Sequence, residues 1–172
     1  MQNILALRTK TNVLDYKTKK AIILQVLLLA SALVLPAVCH HLNLQTKVFL
    51  PMHWPVLLAG LVYGWRSGLT LGISAPLASF ALSGMPPAHI LPIMTLELAV
   101  YGFAAGAFRQ QLKLNFIFSL LGAMILGKAV YILTAYTLAG SASFAFIQTS
   151  LPGIILQAVL LPLIALIWTK NK

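Results

Sequence analysis

Acidic side chains are almost missing from this 172-residue chain: Asp15 and Glu97 are its only carboxylates, against 12 lysines and arginines. Paired-carboxylate and two-metal chemistry both need several acids at one site, so both are excluded. A single cysteine, Cys39, excludes an internal disulfide and cannot by itself make a metal site. Charge of either sign is scarce, at 8% of residues where a soluble domain has about a quarter. The chain also lacks a G-x-x-x-x-G-K-[ST] phosphate loop, so any ATP hydrolysis is expected to belong to other chains.

What remains is apolar. Hydrophobic residues make up 60% of the chain, and a transmembrane helix needs about 20 of them in succession. Once loops are subtracted there is room for about six such helices and for no soluble domain. The expected fold is therefore an all-α integral membrane protein, a bundle of six transmembrane helices. Residues 1–20 form a basic cytoplasmic segment and residues 21–172 a single membrane domain. The formal charge of +10 lies between apolar runs, where it reads as a topology signal and not as a nucleic-acid footprint.

Arg8, Lys10, Lys17, Lys19 and Lys20 precede the first span, Ala21 to about His41, in which Ala30, Ser31 and Ala32 form a small-residue patch. A cleaved leader ending near Cys39 is not expected, because Val38 is not small and the basic segment is long for a signal peptide. Leu42 to His53 reads as an outer loop, followed by a short helix 2 from Pro55 to Tyr63. GWRSG at 64–68 reads as a tight turn, and helix 3 ends near Ser83. The prolines of MPPAHILP, from Met85 to Pro92, remove donors and bias their predecessors to extended geometry, so this stretch is a second outer loop. Helix 4 is expected from Pro92 to Phe108 and helix 5 from Leu114 to Leu138. A small-residue AGSAS loop follows, and Ser150 then caps a last helix with Pro152 in its first turn. With the N-terminus inside, ten basic residues fall in inner segments and only Lys47 in an outer loop, which predicts both termini in the cytoplasm. Small residues at four-residue spacing, such as Gly60 and Gly64, Gly68 and Gly72, or Gly102 and Gly106, are expected to let helices pack closely in lipid.

Two ionisable residues fall inside predicted spans. Glu97 and Lys128 would each cost about 2.5–3.5 kcal/mol or more facing lipid, so each should face the interior or a watery cavity. Glu97 lies about 8 Å below the outer start of helix 4, and Lys128 about 15 Å below the outer end of helix 5. They form either a structural ion pair or the wall of a ligand cavity. Tyr101 shares the Glu97 face, Tyr131 shares the Lys128 face, and Gln157 of helix 6 lies at a compatible depth. His40, His41, His53 and His89 all map to outer helix ends or loops. Their spacing supports no metal site, but His53 and His89 suit a wet rim that contacts a ligand. Trp54, between Pro51 and Pro55, belongs either to the interfacial belt or to a stacking platform for a planar ligand. No histidine lies in a span near a serine, so nucleophilic catalysis is not expected.

PMHWPVLLAG, APLASFALSGMPP, LPIMTLELAVYGFAAG and LPGIILQAVLLPL together resemble the S components of energy-coupling factor (ECF) transporters, which are bacterial vitamin importers. The likeness covers most of the chain beyond residue 20. It implies a multi-pass protein of the bacterial cytoplasmic (inner) membrane, not an enzyme, that captures a vitamin or related micronutrient with high affinity. It further implies as partners a membrane-embedded T component and a pair of cytoplasmic ATPases, with no cofactor of its own. The family's ligand lies near the outer side among the first loop and helices 4, 5 and 6, which maps onto Glu97, Lys128 and Gln157. The family's common Ala-x-x-x-Ala pattern in helix 1 is absent here. Lys128 suits a carboxylate or phosphate, Glu97 a ring N–H or amine, and Trp54 a planar ring, with riboflavin as a first guess. A small assembly scaffold and an independent secondary carrier are the alternatives.

Overall fold

A computed structural model of the chain describes residues 18–43, 45–139 and 144–170. It is all-helical among those residues, with seven α-helical segments: α1 Lys19–His41, α2 Thr46–Phe49, α3 His53–Leu58, α4 Trp65–Ser83, α5 Leu91–Gln110, α6 Phe116–Ala139 and α7 Phe144–Lys170. α3 continues directly into a π-helical stretch, Ala59–Tyr63. α1, α5 and Phe116–Leu138 of α6 are long and apolar enough to cross a membrane, while His53–Tyr63 and Ser150–Ile164 are shorter apolar stretches. Outward side chains such as Val26, Leu27, Ile125 and Leu133 are exposed hydrocarbon. The chain is therefore a multi-pass membrane helical bundle. The basic segment at 1–17 and most of the AGSAS loop lie outside the described residues.

Several boundaries differ from expectation, each for a local reason. α1 begins at Lys19 because Thr18 caps it, its hydroxyl accepting from the Ala21 N–H at 3.3 Å. The capping oxygen satisfies one of the free donors of the first turn. α6 likewise starts after Asn115, whose Oδ1 accepts from the Phe118 N–H at 2.9 Å. The turn expected over 64–68 shrinks to Gly64 alone, because its φ of 98° reverses the chain in one residue and Trp65 already opens α4. Only glycine takes that conformation without strain. Gln110 supports the same corner, its Oε1 accepting from the Trp65 N–H at 3.2 Å. Ser150 does not cap the last helix, since α7 begins at Phe144 and runs through Pro152 and Pro162. A proline inside a membrane helix removes one internal bond, and neighbouring groups take up the freed carbonyl.

α5 and the α3–π segment occupy the centre. From Pro51 to Gly64 every residue except Trp54 and Leu58 is buried, as expected for a helix that is hydrophobic all round. α4 and α5 meet backbone to backbone: a Cβ on Gly68 would fall 2.2 Å from the Gly102 carbonyl oxygen. α1 is held to α4 by Gln25, whose Nε2 donates to the Ser67 carbonyl at 3.2 Å and to Thr70 Oγ1 at 3.0 Å. Ser67 Oγ in turn donates to Gln25 Oε1 at 2.6 Å. The loop expected from Leu42 to His53 contains α2, and α2 lies across α7 where a Cβ on Gly153 would meet the Val48 carbonyl oxygen at 2.0 Å.

Candidate functional site

Three elements converge on a polar centre inside this apolar frame. α5 carries Glu97 on its buried face together with Leu98, Tyr101 and Ala105. The carboxylate is 3% exposed, and Lys128 of α6, 12% exposed, donates from Nζ to Glu97 Oε1 at 2.7 Å. A charge-assisted contact of that length is strong, and pairing is how charges persist where lipid excludes water. Lys128 Nζ also lies 5.0 Å from the ring centroid of Tyr131, one turn along α6, in cation–π geometry.

His53 completes the centre from the first turn of α3. Its Nε2 stands 3.7 Å from Glu97 Oε1, beyond direct hydrogen-bond distance, and its ring meets Tyr101 edge-on at 5.2 Å and 75°. This corrects the expectation of a wet rim for this histidine: His53 is 3% exposed, because Pro51 and Met52 turn the chain inward before α3 starts. Neither ring nitrogen has a hydrogen-bond partner among the described residues. A neutral imidazole brings one donor and one acceptor, so His53 adds unused hydrogen-bonding capacity beside a compensated ion pair. Burying such groups unpaired costs about 1–3 kcal/mol, a penalty that apolar residues at the same place would avoid.

The other expected residues divide around this centre. Tyr101 is 1% exposed and belongs to it through His53. Gln157 is 1% exposed but reaches a different group, donating from Nε2 to the Leu50 carbonyl at 3.4 Å. Leu50 has a φ of 48°, a left-handed conformation that is strained for a bulky residue. Gln157 therefore holds the turn that delivers His53, a role that sequence reading did not assign. Trp54 follows His53 by one residue and points elsewhere, its indole N–H donating to the Phe49 carbonyl at 3.0 Å. His89 is exposed in the connection between α4 and α5.

Chemically, the centre brings together a fixed carboxylate, an ammonium, an imidazole and two aromatic rings. It contains no activated serine or cysteine hydroxyl or thiol, and no group of three or more metal-ligating side chains occurs among the described residues. Recognition is what such a set does well. A family model described as "ECF transporter, substrate-specific component" matches residues 20–165. Searches of the curated proteins and of the solved structures return no match.

Proposed function

Because the chain belongs to the substrate-specific components of ECF transporters, we propose that it captures a vitamin or related micronutrient at the polar centre formed by Glu97, Lys128, His53, Tyr101 and Tyr131. The observation that carries this proposal is the buried Glu97–Lys128 pair with a histidine against it whose ring nitrogens make no hydrogen bond among the described residues. A pair that served only to neutralise itself would need no third polar group; a ligand site does. The reading includes six membrane-crossing segments in a bacterial inner membrane, and the one-sided distribution of lysine and arginine supports placing both termini in the cytoplasm. Transport then requires a T component and a pair of cytoplasmic ATPases, since the chain has no phosphate loop.

The preferred ligand carries a planar ring with N–H and carbonyl groups for His53 and the carboxylate, and an aromatic face for Tyr101 and Tyr131. Riboflavin is the first compound to test. Mass spectrometry of what co-purifies with the detergent-solubilised protein identifies the ligand directly, because slow dissociation carries tight ligands through purification. Titration calorimetry of the ligand-free protein then measures affinity in Glu97→Gln and Lys128→Met. Weakened binding in both is expected, and unchanged affinity in both rejects the site.

A further inference from the structure

Few groups set the charge of the polar centre. Glu97 is the only carboxylate among the described residues. Lys128 is the only basic residue of α6, and His53 the only histidine or basic residue of α3 and its π-helical continuation. Along α5 the next basic residue, Arg109, stands about 18 Å further on at 1.5 Å per residue. α4 contributes only Arg66, exposed beside Trp65. α7 sends Gln157 to the Leu50 carbonyl, and its one lysine, Lys170, is its last residue. The carboxylate and the ammonium meet at 2.7 Å, so each already holds the other's counter-charge. His53 Nε2, at 3.7 Å from Glu97 Oε1, stands outside hydrogen-bond distance, which is the geometry of a neutral imidazole. An imidazolium, with two donors to place, would close on the carboxylate. The centre therefore carries no net charge.

That balance selects among ligands. Taking a lone charge out of water is costly unless a counter-charge stands ready for it, and here none does. An anion brought to Lys128 must share it with Glu97 and is repelled by the carboxylate, while a cation brought to Glu97 is repelled by Lys128. An ammonium by itself would suit a carboxylate or phosphate, but one already closed on a carboxylate does not call for a second. An uncharged ligand meets neither repulsion. His53 supplies what such a ligand needs, one donor and one acceptor that make no hydrogen bond among the described residues. Resting on the capture site proposed above, we propose that its ligand has no net charge and presents a C=O beside an N–H, as a ring carboxamide or a cyclic imide does.

Probes that differ in charge on one ring test this. Nicotinamide, nicotinate and 1-methylnicotinamide are uncharged, anionic and cationic on the same pyridine frame, and riboflavin with riboflavin 5′-phosphate makes a second set. Each is titrated calorimetrically into the ligand-free, detergent-solubilised protein at pH 8, where an ordinary histidine is neutral. The uncharged member of a set is expected to bind about a hundredfold tighter than its charged relatives. Glu97→Gln leaves the centre positive and should move the preference toward nicotinate or riboflavin 5′-phosphate. Lys128→Met leaves it negative and should move the preference toward 1-methylnicotinamide. A charged probe that binds the parent best and weakens in both variants leaves the capture site standing and overturns the charge assignment alone. Binding of an uncharged probe that neither variant alters lies elsewhere in the molecule and overturns both. A preference for the uncharged member that neither variant shifts reflects fit and not charge, and it overturns the charge assignment, as does the absence of binding by both nicotinamide and riboflavin. Should a variant fail to fold, the parent decides by itself, because nicotinamide and nicotinate are nearly the same size.

Discussion

Removing Glu97 or Lys128 alone strands its partner in a water-excluded interior, where breaking a buried pair costs about 3–5 kcal/mol. Glu97→Gln and Lys128→Met should each lower thermal stability in detergent, and the double variant should recover most of the loss, because no charge is then left unpaired. Ligand affinity separates the roles: if the pair recognises the ligand, the double variant stays binding-deficient although it is stable again. Full binding by the double variant would reduce the pair to a structural element. His53 offers the cleaner dissection, since its ring packs on Tyr101 while its nitrogens bond to no described group. His53→Phe keeps the edge contact and deletes the nitrogens. Unchanged or raised melting temperature with weakened ligand binding is expected, and a large loss of stability would show that the nitrogens are structurally engaged. Glu97 and Lys128 were legible in the sequence because a charge inside an apolar run stands out. The burial of His53 was not, because histidine at a helix start is equally common at a wet rim.

At the scale of elements, the contacts that matter are made by small or polar residues on otherwise apolar helices. Gly102→Ala would bring a Cβ to 2.1 Å from the Gly68 carbonyl oxygen, and no side chain can yield because both sides are backbone. α4 and α5 must separate, and a loss of about 1–3 kcal/mol is expected from overpacking of this kind, read as a lowered melting temperature. Gln25→Leu leaves Ser67 Oγ, fully buried, without its acceptor. Destabilisation of about 1–3 kcal/mol follows from an unsatisfied buried group, with faster protease cleavage near α1 as the second readout. The four-residue glycine spacing pointed to close packing but not to which helices meet. Gln25 gave no signal at all, because one glutamine in a span looks the same whether it bonds its own helix or a neighbour. The extension of α7 past Ser150 and Pro152 was missed for a related reason: serine before proline is a good helix start in water, whereas in a bundle the surrounding helices carry the helix through it.

At the scale of the whole molecule, the proposed function divides capture and energy input between chains. The protein reconstituted alone should bind its ligand without accumulating it in vesicles, and accumulation should appear only with the T component, the ATPases and ATP. Accumulation by the isolated chain would make it a carrier in its own right. Orientation is open to an equally direct check. In a Cys39→Ser background, Asn43→Cys should react with a membrane-impermeant maleimide in intact cells, and Lys113→Cys should react only after lysis; the reverse pattern would invert the proposed topology. The sequence by itself determined that the chain lives in a membrane, roughly where its helices lie, and that Glu97 and Lys128 sit at similar depths, because depth follows from a fixed rise per residue along each helix. Only the tertiary structure decided that Lys128 meets Glu97 at 2.7 Å, that His53 joins them, and that Trp54, one residue further, turns to an apolar groove. Which side of a helix faces which neighbour depends on packing between segments distant in the chain, and in lipid that packing follows shape and hydrogen bonding, which no apolar run announces.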